Sequence, residues 1–102
     1  MVLYEVTLRV ERAIAEAFLD WLPGHVQRIL ALDGFEGADM FEVVESPPDA
    51  AHLLLCVHYR LRDQEALDAY LRGHAARMRA ESAQQFGERA RASRRILRPV
   101  AG

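Results

Sequence analysis

The sequence predicts an α+β fold with the element order β-α-β-β-α-β, a ferredoxin-like sandwich with two helices on one face of a four-stranded antiparallel sheet. Two observations predict it. The hydrophobic period changes along the chain from two residues to about 3.6 and back. Turn-forming residues separate the segments that carry these periods. The length of 102 residues fits a single domain over residues 1–102.

The first strand and the first helix differ in hydrophobic period. Residues 2–10 alternate apolar and polar positions, as a half-buried strand does. Residues 12–32 carry apolar side chains at three- and four-residue steps, which indicates an amphipathic helix. Pro23 and Gly24 lie inside this run, and because proline cannot donate a backbone hydrogen bond we expect a kink or a break into two helices there. Gly34 is the predicted left-handed cap.

The middle of the sequence predicts a hairpin. Residues 35–45 and 52–61 form the second and third predicted strands. Ser46-Pro47-Pro48-Asp49 cannot form a ladder and therefore predicts the loop between them. Gly37 and Ala38 blur the alternation of the first of these strands, so we expect a bulge there.

The last part of the chain predicts one long helix and a short strand. Asp63 is a favourable N-cap residue. Helical spacing continues from there to Phe86, with Gly73 as a weak point and Gly87 as the terminator. The last strand is predicted over residues 93–98.

One face of the predicted sheet carries no helix. Apolar Leu3, Leu54 and Cys56 lie on it among charged residues. Because an exposed sheet face of this composition usually contacts another surface, we predict a homodimer, paired sheet to sheet through Leu3, Leu54, Cys56 and His58. The alternative is a mixed surface that stays in solvent, since single exposed apolar residues are normal.

Composition narrows the class of protein. Cys56 is the single cysteine, so no disulfide framework is predicted and a reduced, cytoplasmic protein is expected. The sequence shows neither a targeting signal nor an apolar run of about 20 residues, so no membrane association is predicted. The net charge is −2, but residues 1–51 hold three Arg and ten acidic residues, whereas residues 52–102 hold ten Arg and five acidic residues.

Two histidines fall within the apolar stripes of the predicted helices. At about 100° per residue, His25 and His74 both point with those stripes towards one helix–sheet interface, where Tyr4 and Tyr59 also point. Burial disfavours the charged imidazole and would leave a neutral base near pH 7. We therefore take His74 and His25 as candidate catalytic residues. The candidate ligand-binding residues are Tyr4, Trp21, His25, Tyr59, His74 and Arg77. The alternative is that these histidines are core residues, hydrogen-bonded to a carbonyl or a tyrosine hydroxyl.

Neither a metal nor a cofactor is predicted. His52, Cys56 and His58 share a strand face, but their spacing matches no closed zinc pattern. We expect His58 and Arg60 instead to pair with acidic residues of the same face or of its copy, Glu5 and Glu42. Glycine-rich phosphate loops and paired catalytic carboxylates are absent as recognisable patterns.

The C-terminal third is rich in arginine, from Arg77 to Arg98. A solvated face, partly paired with the acidic half of the chain, is the simplest interpretation. Anion binding is the alternative, and the negative net charge and the lack of interleaved aromatic residues argue against nucleic acid.

Several short segments together resemble a small bacterial family whose function is unknown. They are Tyr4-Glu5-Val6, Trp21-Leu22 with His25, Tyr59-Arg60-Leu61-Arg62-Asp63, Ala66-Leu67-Asp68 with Tyr70-Leu71, His74-Ala75 with Arg77-Met78-Arg79, and Phe86-Gly87 with Ala92-Ser93-Arg94-Arg95. The family resembles the dimeric α+β barrel group, which includes small monooxygenases and muconolactone isomerases. The resemblance implies the fold and a dimer, and it brings no catalytic residues. Pro23-Gly24 departs from the unbroken first helix expected of the family.

Three functions remain open on the sequence. The first is a dimer that binds a small organic molecule in a helix–sheet pocket, with or without catalysis. The second is a non-catalytic structural or interaction protein that uses its sheet face. The third is a weak anion or nucleic-acid binder that uses its arginine-rich third.

Overall fold

The computed structural model describes residues 1–101 and has the predicted ferredoxin-like α+β architecture. The strands are β1 (Val2–Glu11), β2 (Phe35–Glu42), β3 (His52–Leu61) and β4 (Ala90–Leu97), and the helices are α1 (Ala15–Leu30), α2 (Gln64–Gly73) and α3 (Ala75–Phe86). The sheet order is β2-β3-β1-β4, with every neighbouring pair antiparallel. No helix within residues 1–101 has both the length and the apolar character needed to cross a membrane.

The core lies between the helices and one face of the sheet. Alternate residues of the central strands β1 and β3 point into it. Among them, Val10 of β1 and Leu61 of β3 are 0% exposed. Phe18 of α1 and Leu67 of α2 cover them and are also fully buried. Each such side chain stabilises the fold by about 1.5–3 kcal/mol through burial. The apolar residues of the strands, spaced by two, and those of the helices, spaced by about 3.6, form one hydrophobic core.

Helix α1 is continuous through Pro23, so the predicted break into two helices is wrong. Pro23 and Gly24 lie on the exposed side of the helix. Buried residues lie on both sides of them, Leu22 before and Val26 after. Packing of this buried stripe on the sheet therefore outweighs the single backbone hydrogen bond that proline removes.

The second helical region is two helices, so the predicted single helix is wrong at this point. The chain leaves helical geometry at His74, where φ is −134° and ψ is −26°. Gly73 precedes the break, and glycine disfavours a helix interior by about 1 kcal/mol. The His74 amide still donates to the carbonyl of Tyr70, and the His74 carbonyl accepts from Met78. The two helices are thus joined end to end through His74.

The predicted caps at Asp63 and Gly87 and the predicted bulge are confirmed, whereas α1 has Ala31 as its C-cap, so Gly34 is left-handed as predicted but is not the cap of this helix. Gly34 has a φ of +90°, and a Cβ there would lie 2.6 Å from the Cβ of Ala66. Asp63 accepts a 2.8 Å hydrogen bond from the amide of Ala66 at the start of α2. Gly87, with a φ of +59°, caps α3. The β2–β3 register shifts between Phe35 and Gly37.

The outer bounds of two strands differ from the prediction. β2 ends three residues earlier than expected, at Glu42, and β4 begins three residues earlier, at Ala90. β4 pairs along most of β1, from Leu3↔Leu97 to Val10↔Ala90. β4 is longer than predicted because its first residues are held by the hydrogen bonds of the ladder with β1. Their sequence alone is too polar to predict a strand.

Candidate functional site

A cavity of about 230 Å³ lies between α1, α3 and the helix-covered face of the sheet. Leu8 and Val57 contribute to the sheet side, while Phe18 and Trp21 contribute from α1. Exposed lining residues, among them Ala83 of α3 and Ala92 of β4, show that the cavity opens between these two elements. Its volume is just below the roughly 300–1,000 Å³ typical of pockets for drug-sized ligands, so it suits a smaller molecule.

Three tyrosines from different elements meet at one end of the cavity. Tyr4 lies opposite Tyr59 in the β1–β3 ladder, and the ring centroids of Tyr4 and Tyr70 are 5.8 Å apart. Burial raises the pKa of Tyr70 to about 12 and also raises the pKa of Tyr59, and the neighbouring phenols act in the same direction. These hydroxyls therefore stay protonated at neutral pH and can donate hydrogen bonds to a bound molecule.

Two arginines line the same cavity. Arg79 projects from α3 and donates from Nη2 to the hydroxyl of Tyr4 over 3.3 Å. Arg94 lies on β4 opposite Val6, and therefore on the helix-covered face. Within residues 1–101 neither guanidinium forms an ion pair with a carboxylate. The cavity mouth thus carries two positive charges that no acidic side chain neutralises.

His25 forms a dyad with Glu81 beside the cavity. Its Nδ1 lies 2.9 Å from Oε1 of Glu81, and its ring stacks on Trp21 with centroids 4.5 Å apart. Burial lowers the pKa of His25, although Glu81 opposes the shift, so the imidazole is neutral at pH 7. Since a carboxylate only accepts, Nδ1 carries the proton and Nε2 is left as an acceptor or base.

Glu81 is held as an anion by its neighbours. Hydrogen bonds from His25 and then from Arg28, whose Nε lies 3.0 Å from the carboxylate, hold the pKa of Glu81 below its usual range. An ionised partner fixes one tautomer and one orientation of the imidazole, as it does in many acid–base sites.

Four of the predicted ligand-binding residues line this cavity: Tyr4, Trp21, His25 and Tyr59. His74 and Arg77 do not, so the expectation that both histidines point at one interface is wrong for His74. His74 lies at the junction of α2 and α3, in a separate surface depression with Asp33. Its Nδ1 lies 3.1 Å from Nη2 of Arg77. His74 itself lies outside helical geometry, so the steps of about 100° on which its predicted direction depended do not apply to it.

Four residues of the site were not among the predicted ligand-binding residues: Tyr70, Arg79, Glu81 and Arg94. Arg79 and Arg94 belong to the arginine-rich stretch for which anion binding was the alternative. The alternation of β4 carries a usable signal, because Ala90, Ala92 and Ile96 share the parity of Arg94. The contact between Glu81 and His25 has no such signal, since it joins two helices across 56 residues of sequence.

The opposite face of the sheet, left uncovered by the helices, carries an ion cluster. Glu5 is only 7% exposed and accepts from two sides, from His58 Nε2 at 2.8 Å and from Arg95 Nε at 2.6 Å. The hydrogen bond from Arg95 is the main cause that lowers the pKa of Glu5, with a smaller contribution from His58, against an opposing effect of burial. The pairing of His58 with Glu5 agrees with the sequence, whereas Arg60 pairs with Asp39 instead of Glu42.

Cys56 lies next to this cluster. One potential ligand atom each of Glu5, Cys56 and His58 lies within 4.8 Å of the others. Both Glu5 oxygens already accept hydrogen bonds, and burial raises the pKa of the Cys56 thiol. The arrangement is therefore a satisfied ion-pair network with a protonated thiol beside it.

Comparisons with known proteins agree with this fold. Residues 1–100 match the family described as "Domain of unknown function (DUF4286)", and no curated protein matches the sequence. An antibiotic biosynthesis monooxygenase superposes with a TM-score of 0.70 at 14% identity, over 99% of this chain and 100% of the other. SnoaB, a cofactor-independent oxygenase from Streptomyces nogalater, gives 0.66 at 10% identity, over 99% and 95%.

A third solved structure is a dimeric ferredoxin-like protein from an uncultured marine organism. It gives a TM-score of 0.65 at 13% identity and covers 99% of this chain and 96% of its own. Together these likenesses confirm the predicted resemblance to the dimeric α+β barrel group as a likeness of fold.

Proposed function

This chain belongs to the DUF4286 family, and from that premise we propose that it is a homodimer that binds a small organic molecule between its helices and its sheet. The observation that carries the proposal is the cavity lined by Tyr4, Trp21, His25 and Tyr59, which collects aromatic walls and a few polar groups in one place. Small-molecule sites commonly have this composition.

The uncovered sheet face supports the dimer. The apolar residues of this face include Leu54 and Cys56 of β3 and Phe41 of β2. Phe41 is paired with Cys56 and is 49% exposed. The neighbouring row runs Asp39, His58, Glu5 and Arg95 across the four strands, so acidic and basic groups alternate. A second copy turned about a twofold axis can oppose such a row with complementary charges. The fold match to a dimeric ferredoxin-like protein points the same way.

The dimer is tested by light scattering after gel filtration. The mass expected at micromolar concentration is twice the 11.6 kDa of one chain. Leu54→Arg places a charge on the proposed contact and should give the monomer mass, while Leu19→Arg, on the exposed side of α1, should leave the dimer intact. A wild-type chain with the mass of one copy would refute the dimer.

Ligand binding is tested with 4-ethylphenol, a neutral aromatic probe. Trp21 is the single tryptophan of the chain and lines the cavity, so its fluorescence reports binding there. We expect a saturable change in wild type that Ala83→Phe abolishes by filling the cavity mouth. Ala76→Phe, on an exposed part of α3 that does not line the cavity, is the matched control. No saturable change, or unchanged binding in Ala83→Phe, would contradict the proposal.

The His25–Glu81 dyad favours a second candidate function, proton abstraction from the bound molecule. Neutral Nε2 of His25 is the base, and Glu81 stabilises the imidazolium that forms. The match to a protein described as a cofactor-independent oxygenase supports chemistry carried out by side chains alone. Exchange of the acetyl protons of 4-ethylacetophenone in D₂O, followed by NMR, is expected to be faster with wild type than with His25→Gln. Equal rates would leave binding without catalysis.

We also propose a cytoplasmic location. The single cysteine, Cys56, is buried and unpaired within residues 1–101, as is usual in a reducing compartment. Cell fractionation checks this, and recovery of the protein in a membrane or secreted fraction would contradict it.

A further inference from the structure

The cavity has two chemically different ends. Tyr4 and Leu8 both line it and lie four residues apart on β1, roughly 13 Å along the strand. Leu8 lines the cavity together with an aromatic group in which the ring centroids of Phe18 and Trp21 are 5.6 Å apart and His25 stacks on Trp21. Around Tyr4 the walls are the phenols and the guanidinium of Arg79. A molecule that fills the space must therefore have an apolar body and a polar head.

The polar end is positively charged. Ile96 of β4 is the ladder partner of Tyr4. Arg94 lies two residues before Ile96 and points to the same face of the sheet. Its charge reaches the phenols of Tyr59 and Tyr70, where it acts against the effect of burial on their pKa values. Arg79 acts on Tyr70 in the same way. Two guanidiniums thus face one group of protonated hydroxyls.

We propose that the bound molecule is an organic acid, with its carboxylate between Arg79 and Arg94 and its apolar body towards Phe18 and Trp21. This inference rests on the proposed function. Guanidinium groups bind carboxylates through paired, charge-assisted hydrogen bonds. Protonated phenols supply further donors, and a neutral His25 adds no competing charge. Without an anion, the two guanidiniums at the mouth have no carboxylate partner within residues 1–101.

The experiment compares two probes of nearly equal shape, 4-ethylbenzoate and 4-ethylbenzamide, through the fluorescence of Trp21. Wild type is expected to bind the acid about tenfold more tightly than the amide, because a charged hydrogen bond is worth about that factor. Arg79→Gln and Arg94→Gln should each reduce this preference, and the double variant should abolish it while the amide still binds. Arg77→Gln, which removes the same charge from α3 outside the cavity, should keep the preference.

The outcomes separate the two proposals. If both probes bind equally to wild type, the organic-acid inference is wrong and the cavity remains a binding site. If neither probe binds saturably, and 4-ethylphenol does not either, the proposed function fails and this inference fails with it. A preference that survives in the double variant would overturn the assignment to Arg79 and Arg94.

A second measurement needs no variant. In wild type, added salt should weaken binding of 4-ethylbenzoate and leave 4-ethylbenzamide unchanged, because salt screens exposed charges. This measurement also decides the question if the double variant does not fold. If salt changes the affinity of wild type for both probes equally, the inference is wrong.

Discussion

Two consecutive residue pairs of the central strands β1 and β3 point to opposite faces of the sheet. In each pair the pKa of one polar group is shifted, and the two shifts have opposite directions. On the helix-covered face, Tyr4 lies opposite Tyr59, and one residue further along, on the uncovered face, Glu5 lies opposite His58. Burial is similar, with Tyr4 4% and Glu5 7% exposed. The pKa of Tyr59 is raised, so it remains neutral, whereas the pKa of Glu5 is lowered, so it remains ionised.

The difference shows that partners, and not burial alone, decide the direction in which a pKa moves from its ordinary value. Tyr59 is surrounded by other phenols and apolar walls, so desolvation dominates. Glu5 accepts from Arg95 and His58, and these hydrogen bonds outweigh the opposing effect of burial. One face of the sheet therefore offers neutral donors around a cavity, while the other offers a fixed ion network suited to a flat contact.

The largest expected effect is on the free energy of unfolding. It is measured by replacing a leucine with alanine on each of the two faces of β3. Leu61 of β3 is fully buried under the helices, while Leu54 points to the uncovered face and is half-buried. Leu61→Ala should lower the free energy of unfolding by about 2–5 kcal/mol through a cavity in the core. Leu54→Ala should cost about 1 kcal/mol when measured at a concentration that keeps the chain monomeric, because Leu54 is only partly buried within one chain. Urea denaturation measures both, and equal losses would show that the faces do not differ in packing.

The next effect concerns Glu5 and pH. Glu5→Gln should lower the free energy of unfolding by about 1–2 kcal/mol at pH 7, because it weakens charged hydrogen bonds of which one partner, Arg95, is largely exposed. The folded-state pKa of Glu5 lies below its ordinary value of 4.5, so unfolding takes up a proton. The difference between wild type and variant is therefore full above pH 4.5 and disappears as the pH falls through the folded-state pKa.

Glu36→Gln is the control for this effect. Glu36 is exposed and forms no ion pair within residues 1–101. It should change stability little at any pH, which denaturation curves at several pH values would show. If Glu5→Gln had the same flat profile, Glu5 would not be held as an anion by its neighbours.

The smallest effect is a pair of opposite shifts in the pKa of His25. Glu81→Gln removes the group that raises this pKa, so the value should fall below that of wild type. Arg28→Gln removes a nearby positive charge that lowers it, so the value should rise. NMR titration of the imidazole measures both shifts. Movement in the same direction in both variants would contradict the dyad.

The two sheet faces were predictable because strand alternation is rigid. A period of two residues carries Tyr4 to one side and Glu5 to the other without accumulated error, and the same holds for Tyr59 and His58. Helical direction is less robust, since a residue that leaves helical geometry no longer follows the step of about 100° between neighbouring side chains. His74 is such a residue, and its predicted direction failed for this reason.

The cavity itself was beyond sequence reasoning. Its volume depends on how side chains from six helices and strands pack, and no local pattern encodes that packing. Arg94 lay within the predicted last strand, but its place at the cavity follows from the pairing of β4 with β1, and Glu81 reaches the site through a contact between two helices. The fold could thus be predicted almost completely, and the site only for residues whose direction follows from an unbroken element.

The most direct test is to locate 4-ethylbenzoate on the protein by intermolecular NOEs. The predicted contacts are from the probe to the methyl groups of Ala83 and Ala92 and to the indole of Trp21, all of which line the cavity. Contacts to Leu54 and Phe41 instead would place the binding site on the uncovered face of the sheet and would contradict the account.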